Sequence, residues 1–600
     1  MRSRYLAGAA ACAVTAMLVT ACSSGGSSSG GGSSGSTSTT ATFAEEPGAA
    51  PDYIFPMLTG TYYSVANIEG FQRLSYRSLY WIGKNGQPVV DTTRSLAGIP
   101  TYSHNDTVVT ITMGNWKWSD GTPVTTRDVA FWLNLLQANK KNFAAYIPGE
   151  FPDSMKSFKV DSPKQIVLTL KHPVNPTWFT YDQLSQITPI PQQAWDKTSA
   201  SGKVGNYDET PAGAVKVFNF LTAQSKQIST YGSNPLWHVV DGPWKMVAYN
   251  TDGYVKFAAN PAYSGPDNHK LKFFVEQPYT SETAELNVLR SGHSLSYGYV
   301  PLQESSQTKV LSGQGYTAAP WNSWGINFFL LNYNNPTTGP IVTQPYVRQA
   351  MQSLVDEQAY IKGPMQGYGH TEYGPIPSLP ANPFVDSYEK NGPWKYSPAK
   401  AVQLLKSHGW TVKPGGVSTC TSPGSGAGHC GPGVPSGAKM VFSLPYASGS
   451  VEASQMMQAL KSAFAQAGMQ VTLSTAPFNT IIGRLAPCKP SQSGCSWQMA
   501  FYGGGWTYGV DPYPTGDQLF ATGSTSNFSN YSNPGLDRTI AATVGAKTSL
   551  QTYEDYMANN PPVIWLPMPV YQLSEIASNL HGATPQSPIE SLTPENWYFS

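Results

Sequence analysis

Trp116-Lys117-Trp118-Ser119-Asp120-Gly121-Thr122-Pro123-Val124-Thr125, running on into Thr126-Arg127-Asp128-Val129, is the stretch on which the fold of this chain turns. Ser-Asp-Gly makes a tight turn, Pro123 stiffens its exit, and Thr125 with Asp128 forms a capping box that opens a helix. The apolar side of that helix carries Val129, Leu133 and Leu136. Upstream, Thr107–Met113 alternates with Val109, Ile111 and Met113 on one face, which predicts a strand; Ile166–Leu170 predicts another. Downstream, Ser397-Pro398 starts a helix as cap then proline, with Ala401, Leu404 and Leu405 inward and Gly409 ending it. Lys439–Leu444, Glu452–Ala467 and Met469–Leu473 read as strand, helix and strand with a stop at Gly468, so the later half carries a parallel α/β unit. The earlier half is richer in strands. No repeat at solenoid or propeller spacing is present. The fold class is therefore mixed α/β with several lobes.

Arg2 and Arg4 precede an apolar segment, Tyr5–Thr20, that is too short to span a bilayer. Leu18-Val19-Thr20-Ala21-Cys22 resembles the lipobox of bacterial lipoproteins, so residues 1–21 are expected to be a signal peptide and Cys22 the lipidated new N-terminus. Ser23–Thr42 is nearly all Ser, Gly and Thr and is expected to be a disordered tether with a reach of about 25 Å.

Charged residues make up only 12% of the chain and the net charge is +1; with no basic stripe, nucleic acid is not an expected partner. The 34 Tyr and 16 Trp exceed what cores need and suit the walls of a ligand cleft. Cys12 leaves with the signal peptide and Cys22 takes the lipid. The remaining Cys420, Cys430, Cys488 and Cys495 fit disulfides in an exported chain; neighbours in sequence make natural pairs, though four cysteines allow three connectivities. No metal site is marked, since His429 beside Cys430 lacks any C-x-x-C, and no cofactor is expected.

Several segments together resemble the solute-binding proteins of family 5, the peptide- and nickel-binding components of ABC importers. The Trp116–Thr125 stretch is similar to the family signature. Asp241-Gly242-Pro243-Trp244-Lys245 with Asn260-Pro261-Ala262-Tyr263 resembles its paired strands, and Tyr346-Val347-Arg348-Gln349-Ala350 after Asn332 resembles one of its helices. Ser397–Trp410, Asn533-Pro534-Gly535-Leu536-Asp537 and Pro562-Val563-Ile564-Trp565-Leu566 follow in family order. The resemblance implies a two-lobed fold like the class II periplasmic binding proteins, with an extra small domain and a hinge between lobes. The implied layout is lobe I from 43–90, 216–320 and 546–600, the extra domain from 91–215, and lobe III from 321–545.

It also implies a role: capturing a peptide or similar polar solute outside the cell membrane, as a lipid-anchored monomer facing the extracellular or periplasmic side, and delivering it to ABC permease and ATPase subunits. The implied ligand-binding residues are Trp506, Tyr508, Asp511, Trp324 and Asn327, with Tyr62 and Tyr63 on an early loop. Two departures bear on the ligand. Where family members that bind short peptides carry an Asp for the α-ammonium, this chain has Gly509, with Asp511 the nearest carboxylate; and Leu295-Ser296 follows Ser291-Gly292 where an acid is usual. A free peptide N-terminus held at that point is therefore not implied, and a blocked or larger peptide or a sugar-like solute fits as well. Two other readings stand beside capture. A secreted hydrolase rests on Ser397-Pro398-Ala399-Lys400, formally S-x-x-K, but K-T-G and S-D-N are missing from the sequence. A surface receptor without an importer would use the same fold.

Overall fold

The computed structural model describes residues 38–600 apart from Gly48, Leu58, Gly60, Thr61, Tyr63, Asn268, His269, His293, Ala486, Thr525 and 546–549. The expected signal peptide, Cys22, the tether as far as residue 37, and Tyr63 lie outside the described residues. The end of the expected tether lies inside them and differs from expectation. Thr40–Ala44 is a strand, paired in parallel with Phe273–Gln277 and, at Phe43, with Tyr297. Its Ala41, Phe43 and Ala44 are buried, and the Phe43 ring lies 5.1 Å from that of Tyr297. Composition hid this because a five-residue strand needs only two or three apolar side chains and a partner.

That strand sits inside a seven-stranded mixed sheet in the order Tyr316–Trp321, Gln572–Ala577, Tyr297–Tyr299, Thr40–Ala44, Phe273–Gln277, Val255–Ala259, Trp244–Tyr249. Segments far apart in sequence thus share one sheet. A second sheet is built on Gly325–Leu331, which pairs antiparallel with Met499–Ala500, Trp506–Thr507 and Ile564–Leu566. Every residue of Gly325–Leu331 is buried, as its unbroken run Ile326-Asn327-Phe328-Phe329-Leu330-Leu331 leads one to expect of a central strand. Beside it, Val441–Ala447 and Gln470–Ala476 run parallel, joined by the helix Val451–Ala465, the strand–helix–strand unit read from sequence. A third sheet, Thr101–Ser103, Val108–Thr112, Gln165–Leu170 and Met155–Ser162, is antiparallel throughout.

The signature stretch folds as its chemistry dictates. Gly121 takes φ +89°, Thr122 donates from its backbone to Asp120 Oδ1 at 2.9 Å, and Thr125 and Asp128 close the capping box on helix Thr126–Asn139. Ser119 Oγ donates to His238 O at 2.9 Å and Ser119 N to Val240 O at 2.7 Å, so the turn clips the third sheet's helix to the entry of the first sheet. The Asp241-Gly242 step that follows is equally tight: a Cβ on Gly242 would lie 2.5 Å from Leu74 O. Helix Pro211–Ser225 packs on Thr126–Asn139, so it straddles the expected 215/216 boundary between extra domain and lobe I.

Between the first and second sheets the chain crosses twice, side by side. Tyr316–Trp321 belongs to the first and Gly325–Leu331 to the second; Ile564–Leu566 belongs to the second and Gln572–Ala577 returns to the first. The return therefore falls after Leu566, later than the expected change of lobe at 546. Tyr571 N donates to Trp321 O at 2.8 Å, and Asn327 Nδ2 donates to Pro567 O at 2.9 Å, tying the crossings together at both ends. Arg348, buried on helix Pro345–Gln352, donates to Pro561 O at 2.8 Å and to Val342 O at 2.8 Å, which fixes the entry to Ile564–Leu566. The disulfides join Cys420 to Cys430 and Cys488 to Cys495, the sequence-neighbour connectivity among the three allowed.

Candidate functional site

The two crossings, 322–324 and 567–571, contribute Ser323 and Met568 to Tyr571 as the floor of a cavity of about 780 Å³. One wall comes from the first sheet and its approaches: Glu46, Tyr299 to Gln303, and Gln572. The opposite wall comes from the second: Ile326, Asn327, the loop Gly449–Ala453 at the head of helix Val451–Ala465, and Phe501 to Thr507. A smaller hollow of about 420 Å³ shares Glu46, Tyr571, Gln572 and Glu590 with it and extends past Tyr62 and Asn67. Together they make one recess between the sheets, of the size that holds small-molecule and peptide ligands. A hollow of about 970 Å³ beside the Cys488–Cys495 disulfide draws its lining from residues 443–500 alone and touches neither the crossings nor any expected ligand-binding residue.

The expected residues divide into wall and support. Trp506 is half-buried on the cavity wall, and its Nε1 donates to both Asp511 oxygens at 3.2 and 3.0 Å. Its place is set by Gly505, where a Cβ would fall 1.8 Å from Ile326 O, so only glycine lets this segment lie against Gly325–Leu331. Asn327 also lines the cavity; Nδ2 is tied to Pro567 while Oδ1 has no hydrogen-bond partner. Tyr62 lines the smaller hollow, stacked on Tyr53 at 4.5 Å.

Trp324, Tyr508 and Asp511 do not line the cavity. Trp324 is fully buried, its Nε1 donating to Pro512 O at 2.9 Å and its carbonyl accepting from Tyr508 N at 2.8 Å. Tyr508 is buried beside it, its hydroxyl donating to Pro375 O at 2.6 Å. Asp511 is 5% exposed and holds the Trp506 indole. The large aromatics Trp324, Trp506 and Tyr508 looked alike in sequence; their partners separate the one on the wall from those that anchor it.

Sequence reasoning missed the carboxylates. Glu46 and Glu590 line both hollows, Glu282 and Glu452 the larger, Glu45 and Asp52 the smaller. Glu590 stands at φ +65°, a left-handed conformation rare for a side-chain-bearing residue and one found at functional positions. The pair Glu45-Glu46, two residues beyond the Ser/Gly/Thr run, was the available signal. Burial pushes Glu46 up to about 7, with the charge of Glu282 adding to it against a hydrogen bond from Gln572. Burial likewise pushes Glu452 to about 7, and Glu590 to about 8 against a hydrogen bond from Ser323. Asp511 also rises to about 8, by burial and then the charge of Asp517.

These shifts carry a sign for stability. An acid whose folded pKa lies above its unfolded value, about 4, keeps its proton on folding; the stability it contributes is complete below the unfolded pKa and lost as pH rises through 7 to 8. Asp153, held near 2 with Lys140 and Tyr146 as partners, titrates outside that window, and among the described residues His238, lowered by burial, opposes it. The ligand-free protein is therefore expected to melt at a higher temperature at pH 5.5 than at pH 8.5. A melting temperature that climbs across that range contradicts these assignments.

Comparison with known proteins follows the same outline. Residues 94–527 match the family described as bacterial extracellular solute-binding proteins, family 5 Middle. A curated relative, the glutathione-binding protein GsiB of Pectobacterium atrosepticum, is 28% identical over 193 residues, 32% of this chain. The match spans about a third of that relative's length, 35%. Among solved structures, the fold is similar to the oligopeptide-binding protein AppA of Bacillus subtilis in complex with a nonapeptide, with TM-score 0.63, 15% identity, and 94% of this chain and 100% of that one covered. It is also similar to NikA of Brucella suis in complex with Fe(III)-EDTA, with TM-score 0.69, 15% identity, and coverage of 94% and 100%. At such identities the likeness speaks for the fold.

Proposed function

Because the chain belongs to the bacterial extracellular solute-binding proteins of family 5, we propose that it captures a peptide or similar polar solute between its two sheets and delivers it to an ABC permease driven by ATPase subunits. The observation that carries this reading is the recess itself, walled by both sheets and floored by the two paired crossings about which the walls can close. Micromolar capture requires about 8 kcal/mol, within reach of aromatic contact and several hydrogen bonds in a closing cleft. The hydrolase reading loses its one argument: Ser397 Oγ accepts from Lys400 N at 3.3 Å as the cap of helix Pro398–Ser407, so its S-x-x-K is helix-start chemistry. The test is a thermal-shift panel of peptides, sugars and metal chelates, with mass spectrometry of the recovered ligand. A saturable rise in melting temperature with intact ligand is expected. Turnover of a panel compound contradicts capture, and the lack of any shift across the panel removes its support.

The lipoprotein form belongs to the same proposal. Among the described residues no helix is long and apolar enough to cross a membrane, and attachment is assigned to lipid on Cys22. Cys22→Ser is expected to move the protein from the membrane fraction to the medium or periplasm. Continued membrane retention of that variant sinks the anchor.

A further inference from the structure

Resting on the capture reading, we propose that the ligand is an oligocation, carrying at least two ammonium or guanidinium groups. Six carboxylates line the recess: Glu45, Glu46, Asp52, Glu282, Glu452 and Glu590. No Lys, Arg or His lines it among the described residues, and none of the six has an ion-pair partner among them. Arg73, which reaches Ser591 beside Glu590, is already paired with Glu69 at 3.0 Å. The chain as a whole is nearly balanced, at 37 basic and 36 acidic residues, so the one-sided lining is a local property of the recess.

A second observation points the same way independently of the charges. Asn327, 2% exposed on the wall of the cavity, leaves its Oδ1 without a partner while Nδ2 is used by Pro567. An unpaired amide oxygen in such a place calls for an N–H donor from the occupant. The aromatic lining supplies a third. Tyr502, Trp506 and Tyr571 line the larger hollow and Trp321 the smaller, rings whose faces attract cations and repel anions.

The arrangement of the acids sets the valence. Glu46 and Glu590 lie where the two hollows meet, whereas Glu452 and Glu282 are found only in the larger hollow and Glu45 and Asp52 only in the smaller. A single ammonium meets one end of this recess; a molecule with spaced positive charges meets both. Glu46, Glu452 and Glu590 are held above the ordinary carboxylate range by burial, with like charge adding to it at Glu46 and Glu590, a repulsion that an entering cation relieves. The departure at Gly509 fits this arrangement: the carboxylate nearest in sequence, Asp511, is spent on the Trp506 indole, and the free acids stand elsewhere in the recess. The same chemistry is offered by a basic peptide and by a free linear polyamine.

The test is isothermal titration at pH 7.5 and 150 mM salt with trilysine, spermidine, trialanine and triglutamate, on wild type and on Glu46→Gln, Glu590→Gln and Glu452→Gln. Trilysine or spermidine is expected to bind at least 100-fold tighter than trialanine, with triglutamate weakest, and each neutral variant is expected to weaken the cation at least tenfold. Tighter trilysine assigns basic peptides; equal or tighter spermidine assigns polyamines. Glu46 and Glu452 are only partly buried, so their variants keep the test open if that of the buried Glu590 misfolds. Equal binding of trialanine and trilysine, or capture only of a neutral or acidic compound from the wider panel, overturns the oligocation and leaves capture standing. Failure of every compound of every class overturns both.

Discussion

Trp506→Ala is expected to weaken ligand binding at least tenfold while shifting the melting temperature by no more than a few degrees. The side chain is half-buried on the cavity wall, and its backbone is held by Gly325–Leu331 whatever the side chain. If about 60 Å² of the indole face meets the ligand, at ~25 cal/mol per Å² its loss costs about 1.5 kcal/mol, roughly tenfold in affinity. Trp506→Phe keeps an aromatic face and loses the bond to Asp511, so it should fall between wild type and Ala. Titration with whichever panel compound stabilises wild type decides the matter; unchanged affinity in Trp506→Ala removes this residue from the site.

Trp324→Ala should behave in the opposite way, striking the fold first. This side chain is fully exposed to nothing but protein: it packs against Phe384 at 5.9 Å and Tyr508 at 6.2 Å and bonds Pro512 O. A buried Trp replaced by Ala costs ~3–5 kcal/mol through the cavity it leaves, a large part of a typical folding free energy. The expected result is a much lower melting temperature or loss of soluble protein, whereas Trp324→Phe, which keeps most of the packing, costs far less. A Trp324→Ala protein that melts like wild type contradicts its assignment to the core. The two tryptophans, equal in sequence, are thus separable by experiment: one governs affinity, the other stability.

Much of the fold was legible because local chemistry and tertiary role coincide. Thr125 and Asp128 announce a capped helix, Gly468 ends another, and the alternation of Val109, Ile111 and Met113 marks a strand with one buried face. Local chemistry says less where structure depends on a distant partner. Thr40–Ala44 looks like the end of a tether until Phe273–Gln277 and Tyr297 pair with it. The return between sheets after Leu566 follows from pairing with Asn327–Phe329, which nothing near residue 546 encodes. The site shows the same division. Trp506 and Asn327 were reachable through the resemblance, but Glu46, Glu452 and Glu590 come from three separate stretches of chain and become a group only when the sheets face each other.

On the capture reading, two walls close over a ligand about the crossings at 322–324 and 567–571. Closure is read out by small-angle X-ray scattering of the full chain, with and without a saturating compound from the panel. The radius of gyration is expected to fall on saturation; an unchanged value, alongside calorimetry that reports a fully occupied site, contradicts it.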